Sequence, residues 1–364
     1  MRCRVAAHRW GVTTRRHTVK TRVWRQLGMG LSATTALAVT LPAHAQSSVQ
    51  LYGTVDGGVR FLNNAAKGGG TAYTMNSNGY FSSNKLDFRG REDLGGGWDA
   101  HFLLESGFNV GNGQLDNTTN TLFQRQAFVG LGNKKYGTLD LGRQYTIAHD
   151  IISYYDPFHF HFTPILPLTT ASDGTRNNND VKYKNHFGNL LFEVDNSFGG
   201  VAGNFSSGAA HAVGLTYTLG PASIGGVYGH RNLLSGSNYV GDTYYMGGGS
   251  YRLGPVELSG GFMSEDLQTP GTPHQVTNNG FGGLSWNIMS TLVFYGGYYQ
   301  TTVSTDKASR RGLSIVSLAY LLSKRTTLYA EADHTSWRHS VVSTLNPNGV
   351  PSQMAVTIGI DHLF

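Results

Sequence analysis

Cysteine is all but missing from this chain. One residue in 364 is a cysteine, Cys3, and it lies at the extreme start. Disulfide frameworks and thiol chemistry are therefore excluded for everything downstream. Long apolar runs are also missing: after residue 46 nothing approaches the roughly 20 consecutive apolar residues of a membrane-crossing helix. Proline is scarce, at 10 residues, and only 14% of the chain is charged. The formal charge of +6 would suit a nucleic-acid partner, but its location argues against one. Eight basic residues and no acidic ones fall within residues 1–45, leaving 20 basic against 22 acidic residues in the remainder. A near-neutral body with a basic leader gives no electrostatic footprint for nucleic acid.

The leader reads as an export signal. A basic segment runs to Arg25, the apolar stretch "LGMGLSATTALAVTL" follows, and Ala43-His44-Ala45 supplies a small-x-small cleavage site. Cleavage is expected after Ala45, with residues 46–364 forming one mature domain. Met29 is an alternative start that would leave few positive charges. A single membrane anchor is the competing reading, but the apolar run is short and holds four Ser or Thr.

What is abundant is glycine, tyrosine and phenylalanine, arranged with period two. In "WDAHFLLES", Trp98, Ala100, Phe102 and Leu104 oppose Asp99, His101, Leu103 and Glu105. "KLDFRGRED", "GPVELSGGF" and "TLYAEADH" alternate in the same way. Period two is strand geometry, with successive side chains on opposite faces. Short separators ("DLGGG", "GNKKYG", "HFGN", "LGP" twice, "NIMS", "LSKRT") alternate with long polar ones near 62–78, 109–120, 144–176, 197–208, 231–241, 264–279, 302–311 and 338–352. The pattern predicts about sixteen antiparallel strands, seven short turns at one end and eight loops at the other. That is the pattern of a transmembrane β-barrel of the outer membrane. In lipid an unpaired backbone group costs several kcal/mol, so the sheet must close. The chain stops on "VTIGIDHLF", where Val356, Ile358, Ile360, His362 and Phe364 share one face. Phe364 is thus the last rung of a strand that must pair with "SSVQLYGTVDGGV". The mean hydropathy of −0.24 suits strands with one wet face.

Several blocks carry a family resemblance: "NKLDFRGREDLGGGWDAHFLLESGFN", "LFQRQAFVGLGNKKYGTLDLGRQYT", "RNNNDVKY", "YLLSKRTTLYAEAD" and the terminal Phe. Together they resemble the Gram-negative general porins, specifically the trimeric porins common in betaproteobacteria, over nearly all of residues 47–364. The resemblance implies a homotrimer in the bacterial outer membrane, in contact with lipid and lipopolysaccharide, whose third long loop folds into the lumen. It also implies a passive channel for ions and small hydrophilic solutes, with no cofactor, and a terminal Phe364 that acts as the membrane-assembly signal.

In that family basic residues climb one wall of the narrowing. The matching positions are Lys85 (where the family has Arg), Arg125 and Arg176. Asp87 and Asp180 depart from the family pattern and offset part of that charge. Lumen parity adds Arg89 and Lys182 to the basic wall. Segment 144–176 is too apolar and too long for a surface loop and is taken as the inserted constriction loop. It brings Asp150, Asp156 and Asp173. The acidic side of the constriction is assigned to Asp150, Asp156, Asp87 and Glu105. Fixed charges of opposite sign across a water-filled narrowing would bias passage without tight binding.

Other signals are weak. His159 and His161 in "HFHF" lack the Cys or Glu that would complete a metal set. Asn117-Thr118-Thr119 matches a glycosylation acceptor that has no meaning in a bacterial exported protein, and Gly68-Gly69-Gly70 does not open a strand-to-helix phosphate loop. Trp98 and Tyr136, beside short turns, suit an interfacial girdle. Two other classes compete. A barrel enzyme, protease or lipase, would need a Ser-His or Asp-His constellation, and the histidines are scattered. A surface adhesin would use the long loops over a closed lumen.

Overall fold

The computed structural model describes residues 48–75, 79–172, 175–235, 237–268, 274–338, 345–346 and 348–364. The leader with its cleavage site, and Asp173, lie outside the described residues. Strands β1 (Ser48–Ala66), β2 (Gly69–Met75), β3 (Lys85–Gly95), β4 (Trp98–Gly107), β5 (Gln126–Asn133) and β6 (Gly137–Tyr145) precede the helix α1 (Ile147–Tyr155). Then follow β7 (Arg176–Phe187), β8 (Leu190–Ser197), β9 (Ala210–Leu219), β10 (Ala222–Ser235), β11 (Asn238–Leu253) and β12 (Val256–Leu267). The last five are β13 (Gln275–Met289), β14 (Leu292–Val303), β15 (Asp306–Leu321), β16 (Thr326–Arg338) and β17 (Ser352–Leu363).

Sixteen of these strands form a closed antiparallel barrel, and β2 is a short extra strand folded back from the first loop. Each strand pairs with the next in sequence, and β17 pairs with β1 from Thr54 opposite Leu363 to Leu62 opposite Ala355. The alternation sets the two faces. On β17, Met354, Val356, Ile358 and Ile360 are exposed outward, while Ala355, Thr357 and Asp361 are buried inward. On β1, Val59 and Phe61 face out, and Thr54, Asp56 and Arg60 face in. Trp98 and Tyr136 stack outward beside two short turns, ring centroids 5.9 Å apart.

All seven short turns stand where the separators placed them. The loops at the other end differ. Residues 62–78 were expected to be loop, yet β1 runs to Ala66 and returns as β2. Likewise β10 and β11, and β14 and β15, extend almost to their hairpin tips. The hydrophobic alternation marks only the part of a strand that meets lipid. Beyond that height a polar strand still pairs its backbone, and nothing in its side chains reports it.

Among the described residues, the third loop is the one segment with an α-helix. Ile147, Ala148, Ile151, Ile152 and Tyr155 are buried, an apolar stripe at helical spacing. Thr146 caps the start by accepting the His149 N–H at 3.2 Å. The helix lies inside the barrel against β9–β12, and the chain continues along β14 and β16. Inward glycines make room for it. A Cβ at Gly248 would stand 2.7 Å from the Cβ of Tyr155, and one at Gly297 would stand 2.9 Å from the Phe158 ring. The apolar core is therefore the seam between this loop and one side of the wall.

Candidate functional site

Residues from four strands and the loop between β4 and β5 converge where the third loop leaves the wall. Lys85 opens β3, with Nζ 3.4 Å from Glu105 Oε2 and 3.6 Å from Asp87 Oδ2. Arg125, one residue before β5, donates from Nε to Glu105 Oε1 at 2.7 Å and from Nη2 to the Tyr145 hydroxyl at 2.9 Å. Its Nη1 lies 3.3 Å from Asp116 Oδ2. Arg176 opens β7, donating from Nε to the Arg125 carbonyl at 3.0 Å and from Nη2 to the Tyr145 hydroxyl at 2.6 Å. The Arg176 guanidinium also lies over the Tyr145 ring, 4.3 Å from its centroid. The structure thus brings together Lys85, Arg125, Arg176, Asp87 and Glu105, and adds Asp116 and Tyr145, which the sequence reading did not single out.

A second cluster adjoins the first. His149 stacks on Tyr145 at 3.9 Å, and Lys182 Nζ lies 3.2 Å from Asp150 Oδ2. Lys184 bridges Asp150 at 3.7 Å and Glu193 at 2.9 Å. Asp150 sits in the first turn of α1, and the lysines beside it hold its carboxyl below the usual carboxylate range, against the cost of burial. Asp180 is buried on the inner face, two residues before Lys182. In both clusters the acids stand beside the bases and not across the lumen from them.

Three predicted residues lie elsewhere. Arg89 faces the lumen nearer the short turns, bonded to Gln50 at 2.7 and 2.9 Å with its guanidinium 4.8 Å from the Tyr52 ring. Asp156 is buried under the loop tip. Its Oδ2 accepts the N–H groups of Phe158 and Phe160 at 3.2 and 2.8 Å, and its Oδ1 accepts the Tyr299 hydroxyl. Phe364 lies at the barrel seam, exchanging backbone bonds with Gly53 at 3.1 and 3.3 Å.

The tip that Asp156 organises is strained. His159, Phe160 and Phe162 have φ of 51°, 60° and 61°, a region that bulky residues rarely occupy. It persists because packing over-determines it. The Phe81 ring stacks on His161 at 3.8 Å and on Tyr329 at 5.2 Å, and His161 Nδ1 bonds the Phe81 carbonyl at 2.9 Å.

Two groups at the tip titrate in opposite senses. Burial lowers His161 to about 4, despite its bond to Phe81, and burial raises Asp156 to about 6, despite Tyr299 and two N–H groups. The His161 contribution to docking is complete above pH 6.5 and is lost as pH falls toward 4. The Asp156 contribution is complete below pH 3.8 and is lost as pH rises toward 6. Burial also lowers His149, which acts in the sense of His161. Removing one member should expose the other. Asp156→Asn is expected to lower amide-exchange protection at Phe158–Phe162 roughly tenfold or more between pH 6.5 and 4, after correction for intrinsic exchange. His161→Phe should shrink that acid-side loss, the remainder coming from His149 and His159, which burial also lowers.

Comparisons with known proteins agree with the geometry. The family model described as Gram-negative porin matches residues 32–340. An outer membrane porin protein of Bordetella pertussis is 30% identical over 282 residues, covering 69% of each chain. Among solved structures, an anion-selective porin from Comamonas acidovorans superposes with a TM-score of 0.76 at 24% identity, covering 88% of this chain and all of that one. OmpT of Vibrio cholerae in its trimer form superposes at 0.63 with 13% identity, covering 87% of this chain and 99% of that one. A closed barrel with an apolar exterior, a polar lumen and an inserted third loop, together with these matches, places the chain in the Gram-negative porin family, as a passive channel of the bacterial outer membrane.

Proposed function

We propose that the lumen passes ions and small hydrophilic solutes with a weak preference for anions, set by the cluster around Tyr145. The observation that carries this reading is unequal exposure of paired charges. The side chains of Asp87, Glu105 and Asp116 are 0, 3 and 4% exposed, whereas that of Lys85 is 32% exposed. In this cluster lumen water therefore meets Lys85 first, whereas in the adjoining pair the order is reversed, with Asp150 22% and Lys182 3% exposed. Because Lys85 and Arg125 each have carboxylates beside them, the field reaching the opening is small, and the preference is weak. The Comamonas porin is described as anion-selective, and the basic residues here fit the same sign.

The test is the reversal potential of purified channels in a planar bilayer under a salt gradient. Arg125→Ala should shift the permeability ratio toward cations, and Glu105→Gln should shift it toward anions. A change of about 1 kcal/mol at one fixed charge corresponds to roughly fivefold. No movement in either variant would remove the cluster from the selectivity filter.

Two further readings belong with this proposal. The assembly is a homotrimer, supported by the likeness to OmpT in its trimer form and checked by native mass spectrometry. The protein has no catalytic role, supported by a family and relatives that point to a channel.

A further inference from the structure

The outward face of β15 and β16 carries a feature that neither the pore nor the barrel seam uses. Arg310 and Arg338 are direct cross-strand partners in the ladder. Both are exposed, and both share the outward parity of Leu318 and Leu328. Like charges placed directly opposite one another destabilise a strand pair. Neither guanidinium has a hydrogen-bond or ion-pair partner among the described residues.

Their height on the barrel is informative. Tyr320 and Leu328 are paired outward residues beside the short turn, and the arginine on each strand lies ten residues further along. At about 3.4 Å per residue and a tilt of roughly 40°, ten residues climb about 25 Å, the height of a barrel's apolar band. The two arginines therefore stand where the hydrocarbon ends on the long-loop, outer side. Beneath them Gly312 pairs with Ser336. The Tyr298 ring, exposed outward, lies across that glycine, its hydroxyl 2.7 Å from where a Cβ would be. Two guanidinium forks thus stand above an aromatic ring and two hydroxyls at the lipid–water boundary.

We propose that Arg310 and Arg338 clasp a phosphate group on the headgroup of an outer-leaflet lipid, with the Tyr298 and Ser336 hydroxyls beneath it. A phosphate offers the charge and the bidentate geometry that two adjacent guanidinium groups match, and it relieves their mutual repulsion. The two hydroxyls fill the space over Gly312, so the phosphate rests on them rather than between the strands. The proposal rests on the outer-membrane placement and not on the pore's selectivity, so the two fail separately.

The test uses the full-length folded protein in detergent, with bound lipid read by native mass spectrometry. The probes are phosphorylated lipid A, dephosphorylated lipid A and inorganic phosphate. Wild type should retain phosphorylated lipid A and not the dephosphorylated form. Arg310→Gln or Arg338→Gln should weaken retention about fivefold, and the double variant about thirtyfold. Arg310→Lys with Arg338→Lys should recover part of it, and unchanged bilayer conductance would show that the variants are folded. Equal retention by the double variant, equal binding of dephosphorylated lipid A, or displacement of the lipid by millimolar inorganic phosphate would each overturn the assignment. So would dissociation of the oligomer in the double variant, which would show that the arginines face another subunit.

Discussion

Gly53→Val is expected to abolish most barrel closure, read as a severalfold lower folded fraction by heat-dependent gel mobility after refolding into lipid vesicles. Gly53 sits on the first strand at the point where the last residue docks. Its N–H and C=O pair with Phe364, and a Cβ there would lie 2.6 Å from the tip of the Phe364 ring. The same Cβ would also collide with the carbonyl of Lys85 on β3. A valine would press on both neighbours of β1 at once. Overpacking costs about 1–3 kcal/mol where a site can relax. Here relaxation means parting strands in lipid, where each unpaired backbone group costs several kcal/mol more. Phe364→Ala should lower the folded fraction less, because the backbone rung survives and only the ring covering Gly53 is lost. Normal folding of both variants would show that the seam does not limit assembly, and would remove Phe364 as an assembly signal.

The second large effect is expected at Gly248. Gly248→Val should lower single-channel conductance and raise open-channel noise while leaving the barrel folded. The inward Cβ would stand 2.7 Å from Tyr155 Cβ and 2.8 Å from the Gly260 carbonyl oxygen on β12, so the third loop is pushed inward while the β11–β12 pair shifts slightly. Tyr155, Ile151 and Ile147 are wholly buried between helix and wall. Lifting the helix exposes that apolar face to lumen water, at roughly 1.5–3 kcal/mol for each side chain fully uncovered. The displaced loop has only the lumen to enter, so ion flow falls. Unchanged conductance would show that the loop does not border the narrowest passage.

The exterior was legible because lipid imposes one rule on every strand that crosses it. An outward residue must be apolar, an inward one can be polar, and the edge must close. Those rules left a period-two record from Val49 to Phe364 and located every short turn. The loop-side hairpins were less legible, since beyond the bilayer height no solvent difference separates the two faces of a strand. Helix α1 did have a signal, Thr146 as cap and apolar residues at helical spacing, but it covers only nine residues within a chain of strands.

The lumen was legible only in part, and for a different reason. Parity can place a charge inside but cannot choose its partner. Lys85, Arg125 and Arg176 belong to β3, to the loop before β5 and to β7, and they meet at Tyr145 only because the barrel curls and the third loop turns inward beside them. Tyr145 itself follows an irregularity in the β6–β7 register between Gly142 and Gln144, which strict alternation does not anticipate. Asp156 looked like a lumen charge in the sequence, yet the fold buries it to hold a strained tip. The sequence by itself determined that this chain is a lipid-facing closed cylinder with a wet interior, because hydrophobic burial acts residue by residue along each strand. Which charges meet inside that cylinder was decided only by tertiary structure, because electrostatic pairing depends on distances between strands far apart in the chain.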